Sequence, residues 1–175
     1  MNNFALLPLK TRIRIALGLI VAHLAGSALA QQEAAPDAAK GNVLRLQFSP
    51  YTHHYTFDAE HKDVVMIGLE REYVDTSLDG ITLFRNSFGQ ESLYIYPWGR
   101  VYRSIGGVKP LAFKWTAGLI YGYVDSFKNK VPLNYKGFSP GLIFGLAYEF
   151  KPGWSVQVNL LGTAAAMFEI SAPLN

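Results

Sequence analysis

Residues 111–123 run Leu-Ala-Phe-Lys-Trp-Thr-Ala-Gly-Leu-Ile-Tyr-Gly-Tyr, and they alternate. One set carries Leu111, Phe113, Trp115, Ala117, Leu119, Tyr121 and Tyr123. The other carries Ala112, Lys114, Thr116, Gly118, Ile120 and Gly122. Successive side chains of a strand point to opposite faces, so this period of two predicts a strand with one bulky apolar face and one small or polar face. Residues 154–160 repeat the pattern, with Trp154, Val156, Val158 and Leu160 against Ser155, Gln157 and Asn159. Such walls suit a barrel with lipid on one side and a narrow interior on the other.

Working outward, the same template yields eight segments, at 43–57, 63–74, 78–88, 91–104, 110–124, 138–150, 153–163 and 164–173. Turn chemistry separates most of them, at Asp79-Gly80, Gly106-Gly107 and Pro152-Gly153. The join near Gly162 carries the weakest signal. Most segments reach the roughly 9–11 residues that a tilted strand needs to cross a bilayer. Aromatic residues gather near segment ends (Tyr94, Tyr96, Trp98, Tyr102, Tyr121, Tyr123, Tyr148, Phe150 and Trp154), as in interfacial girdles. The fold class expected is all-β, an eight-stranded antiparallel outer-membrane β-barrel over 43–175. A soluble sandwich or a lipocalin-like barrel would carry the same alternation with the bulky face inward, and periodicity does not separate the two.

The first 30 residues predict a cleaved signal peptide. Lys10, Arg12 and Arg14 precede the apolar run Ile15–Leu24, and Ala28-Leu29-Ala30 supplies a small-x-small cleavage pattern. The run is short for a transmembrane anchor, which takes about 20 residues. Residues 31–42 read as a flexible or short helical lead-in. The 175 residues suit one domain; half are hydrophobic and 14% aromatic, which excludes a disordered chain. The absence of cysteine excludes disulfides, thiolate metal sites and a cysteine nucleophile, and fits passage through an oxidising periplasm. A net charge of +3 and the lack of any basic-aromatic stripe imply no nucleic-acid partner. No cofactor and no metal are implied.

A periplasmic N-terminus and an even strand count place the connections after segments 1, 3, 5 and 7 outside the cell. The longest, Asp125–Gly137, carries Lys128, Lys130 and Lys136. Three features then share one rim: His53-His54 with His61, Asn86-Ser87, and this basic loop. A neutral imidazole can act as general base, a serine hydroxyl as nucleophile or relay, and an asparagine can orient a histidine or bind an oxyanion. Lysines suit lipid phosphates. Each feature also has an ordinary reading, since exposed histidines and lysines are usually solvated and Asn-Ser before glycine is common turn chemistry.

The order and spacing of several blocks resemble the lipid A palmitoyltransferase family, PagP. The blocks are Leu46–Phe57, Ile67–Arg71, Phe84–Ser87, Trp115–Gly118, Val131–Leu133 and Gly145–Tyr148, within residues 46–163. The resemblance implies an outer-membrane barrel that moves a palmitoyl chain from a glycerophospholipid donor to lipid A; a closed barrel needs no partner strand, so a monomer is expected. It places the catalytic histidine on His54 and the catalytic serine on Ser87. The family's adjacent aspartate falls on Asn86, which cannot raise a histidine's basicity through charge but can orient one; Asp58 and Asp63 are nearby carboxylates. His54 shares its strand face with Leu44, Leu46 and Phe48, whereas His53 shares one with Arg45 and Gln47. A bulge at Pro50 would reset that alternation, and otherwise His53 is the reserve candidate. Pro50, Pro140 and Pro152 lack the N–H of a ladder bond and can loosen pairing where a lipid enters sideways, or simply mark strand ends. Bulk near Tyr96-Pro97-Trp98 is expected to shorten any acyl pocket. The alternatives are a non-catalytic small barrel with a structural, binding or transport-accessory role, and a lipid A deacylase.

Overall fold

A computed structural model describes residues 41–56 and 59–175. The expected signal peptide, and the lead-in up to residue 40, lie outside the described residues. Eight strands follow one another: β1 (Val43–His54), β2 (Met66–Glu72), β3 (Leu78–Arg85), β4 (Glu91–Arg103), β5 (Leu111–Tyr121), β6 (Phe138–Lys151), β7 (Trp154–Leu161) and β8 (Ala165–Pro173). Each pairs antiparallel with its neighbours, and β1 pairs with β8 from Arg45↔Pro173 to His54↔Ala165, so the sheet closes into a barrel. Closure gives every strand two paired neighbours and leaves no open outer strand. No helix among the described residues is long and apolar enough to cross a membrane.

The closed sheet decides which face points inward. Lys114, Thr116, Gln157, Asn159, Glu70 and Glu169 are buried, while Leu119, Leu146, Val156, Leu160, Phe168 and Ile170 are exposed. Polar inside and apolar outside is the reverse of a soluble sandwich or lipocalin-like barrel. Exposed apolar side chains on every side are costly in water and favourable against hydrocarbon.

Two bulges break the alternation, both beside proline. In β1 the pairing with β8 slips between Phe48 and Tyr51, and Pro50 and Tyr51 both face outward. In β4 the pairing with β5 slips between Ile95 and Trp98, and Pro97 and Trp98 both face outward. Proline offers no N–H to the ladder, so the extra residue falls where a ladder bond is already missing. The β4 bulge corrects two expectations. Tyr94 and Tyr96, assigned to the girdle, lie inside the barrel at 3% and 2% exposure, stacked with centroids 5.1 Å apart. Trp98, expected to narrow the interior, is 66% exposed on the outer wall. The interior bulk is therefore Tyr94 and Tyr96. Gly80 makes room for it, since a Cβ there would meet the Tyr96 hydroxyl at 2.3 Å.

The connections after β1, β3, β5 and β7 gather at one end, hereafter the mouth, and include the long connection 122–137. The opposite end has shorter turns and is closed by ion pairs. Arg103 binds both oxygens of Glu72 at 2.6 and 2.7 Å, and Arg45 reaches Glu72 at 3.3 Å and the Gly153 carbonyl at 2.7 Å.

Candidate active site

The site is built where four chain segments meet at the mouth. The Pro50 bulge sets its first member. Upstream of it Gln47 and Ser49 point inward; downstream Thr52 points inward and His53 outward. His54 therefore turns toward the mouth. His53 faces out, its Nδ1 3.2 Å from the Tyr51 hydroxyl on the outer wall. The alternation that made His53 the reserve candidate is reset at the bulge.

The connection after β1 returns His61 onto His54, with ring centroids 4.2 Å apart. His61 in turn meets the edge of Phe88 at 5.5 Å. Phe88 follows Ser87 in the β3–β4 turn, and the Lys62 amide donates to the Ser87 carbonyl at 2.8 Å. An imidazole pair and the serine turn thus share one cluster. Phe127 stacks on Phe88 at 4.6 Å, and the Lys130 ammonium lies 4.8 Å from the Phe88 centroid, a cation–π contact. Both come from the short 3-10 helix Asp125–Lys130 in the long connection.

Asn86 serves the turn. It is fully buried; its Oδ1 accepts from the Phe88 and Gln90 amides, both at 3.0 Å, and its Nδ2 lies 3.5 Å from the Gly122 carbonyl. An aspartate oxygen could take the same two amides, so the Asn86 side chain does what the loop needs without the charge. The Asn86 side chain thus holds the turn that carries Ser87, through the amides of Phe88 and Gln90. Asp58 lies outside the described residues, and Asp63 is exposed on the connection after β1.

Tyr123 is the residue that the alternation pattern misplaced. It was grouped with Tyr121 on the outer face. Gly122 intervenes with φ +143, and a Cβ there would strike Ser92 at 2.0 Å. Only glycine fits, and the chain turns so that Tyr123 packs on Phe88 at 6.3 Å and hydrogen-bonds to Ser87. Burial pushes the Tyr123 phenol up, while the Ser87 hydrogen bond works the other way, so it stays a neutral hydroxyl beside the serine. The Gly-Tyr step at the end of a strand was the available signal.

Strand pairing is incomplete on both sides of this cluster. Between β1 and β2 the last pair is Ser49↔Met66, leaving residues 50–54 without a β2 partner. Between β6 and β7 the last pair is Phe144↔Leu160, leaving 138–143 without a β7 partner. Pro50 lies in the first unpaired edge and Pro140 in the second; Pro152 sits in the β6–β7 turn at the other end. Inside, Thr52 and Ser139 hold buried hydroxyls without a partner near these edges. No protein-family model matches the chain, and no curated protein matches it.

Proposed function

We propose that the protein is an outer-membrane acyltransferase that moves a palmitoyl chain from a glycerophospholipid to lipid A. The observation that carries this reading is the pair of unpaired strand edges. Both open on the mouth half, the first ending at His54 itself, and a two-tailed lipid reaches a site inside a closed barrel only through its wall. The reaction class follows from the residues. His54 takes the proton from the attacking hydroxyl, that of the acceptor or of Ser87. That oxygen attacks the donor's ester carbonyl, the ester bond breaks, and the proton passes to the departing lysophospholipid; where Ser87 is the attacker, the lipid A hydroxyl then attacks the acyl-serine ester and its proton returns through His54 to the Ser87 oxygen. Lys62, Lys128 and Lys130 supply positive charge at the rim for lipid phosphates. Tyr94 and Tyr96 form the floor that any acyl chain meets.

A second reading is favoured by the waist of the barrel. It is filled by polar side chains and the ion pair of Lys114 with Glu70, as in a barrel with a purely structural or binding role. The two readings separate on lipid A. Mass spectrometry of lipid A from cells carrying the protein is expected to show one added acyl chain, and a Ser87→Ala variant to lose it. A disulfide across the β1–β2 gap, made by Pro50→Cys with Val65→Cys, is expected to block transfer until it is reduced. An unchanged lipid A would move the assignment to the structural reading, and the loss of one chain to a deacylase.

A further inference from the structure

The waist of the barrel holds a buried carboxyl oxygen that its own residues leave without a hydrogen-bond partner. Lys114 binds Glu70 at 2.5 Å, and the other Glu70 oxygen accepts from the Tyr96 hydroxyl at 3.2 Å. Glu70 is thereby satisfied. Glu169, on β8, faces the same cleft at 4% exposure. Among the described residues its side chain takes one hydrogen bond, from Asn159 Nδ2 to Oε2 at 2.8 Å, and Asn159 Oδ1 is taken by Gln157 Nε2 at 2.5 Å. Two buried oxygens are left over, Glu169 Oε1 and Gln157 Oε1. They belong to residues directly opposite in the β7–β8 register, and both residues line the cleft.

Both orphan atoms are acceptors, so an occupant that satisfies them must be positive or a donor. Two carboxyl groups face one ammonium, and a carboxylate out of water is costly without a partner. One positive charge closes both accounts. A divalent ion would overshoot the charge, and among the described residues no three His, Cys, Asp or Glu side chains converge to hold one. Carboxylate, carboxamide and hydroxyl oxygens are hard donors suited to alkali cations.

We propose that the barrel waist binds one monovalent, sodium-sized cation, ligated by Glu169 Oε1 and Gln157 Oε1. The ion ties β7 and β8 together in the cleft that also holds the Lys114–Glu70 pair. It is independent of the chemistry proposed at the mouth. The test is thermal unfolding of the full chain in detergent micelles at pH 8. Ionic strength is matched with sodium chloride, potassium chloride or N-methylglucamine chloride. Sodium is expected to raise Tm by about 3 °C or more over N-methylglucamine, and Glu169→Gln to remove that difference. Gln157→Leu, which deletes the second oxygen, is expected to weaken it. Should both variants fail to fold, the sodium-23 line width with the wild-type chain decides, broadened and competed by lithium if the site exists. Equal melting in the three salts would overturn the proposal. So would the infrared band of a protonated carboxylic acid at pH 8 that Glu169→Gln removes, because the compensating charge would then be a proton.

Discussion

The two halves of this barrel are built on opposite priorities. At the end away from the mouth, turns are short and charges are matched: Arg45 and Arg103 share Glu72, and Arg71 holds Asp79 at 2.7 Å with Tyr73 on the same carboxylate at 2.8 Å. At the mouth the ladder stops early on two sides, connections are long, and the chain contributes imidazoles, a buried serine turn and aromatic contacts. Ordered charge pairs and full pairing hold a wall together. Unpaired edges and partnerless hydroxyls lower local stability and leave room for a ligand. The comparison teaches that matched charge pairs and ladder gaps are segregated along the barrel axis, with the waist as boundary.

The sharpest break of that comparison comes from variants that hit one half only. His54→Ala is expected to lower acyl transfer by a factor of about 10²–10⁴ while the heat-shifted mobility of the folded barrel on gels stays unchanged. Lost folding in that variant would show the mouth to be structural. At the waist, Lys114→Met leaves Glu70 buried without its partner and is expected to destabilise the barrel by about 3–5 kcal/mol in urea titrations. The double variant Lys114→Met with Glu70→Gln is expected to recover much of the loss. A smaller effect is expected for Asn86→Ala, about 1 kcal/mol from the two amides it strands, together with reduced transfer because the turn that carries Ser87 is loosened. Asn86→Asp keeps the acceptor oxygen and is expected to retain the turn, which separates a turn role from direct contact with substrate.

Much of this fold was legible because a barrel wall writes itself into alternation. The strands fell within a few residues of their expected bounds, and the turns at Gly106-Gly107, Pro152-Gly153 and Gly162 fell between strands as expected. The site was legible in its parts. His54 and Ser87 stood out by residue type, and topology brought them to one end. Their neighbours were not, because His61, Phe88, Tyr123 and Lys130 meet through loops whose paths follow no period. Asn86 showed the limit from the other side: its residue type suited catalysis and turn formation equally, and the two amides on its Oδ1 became visible only in the folded turn.

The sequence by itself determined the strand count, the two-sided wall and the positions where proline would interrupt it. These are local properties, set by period-two patterning and a missing N–H. Tertiary structure alone decided which face turned inward, which of His53 and His54 enters the mouth, and that Tyr94 and Tyr96 fill the interior. Inside and outside exist only once β1 meets β8 and the sheet closes. Each bulge then flips every side chain beyond it, so one added residue in the ladder decides the facing of a whole half-strand.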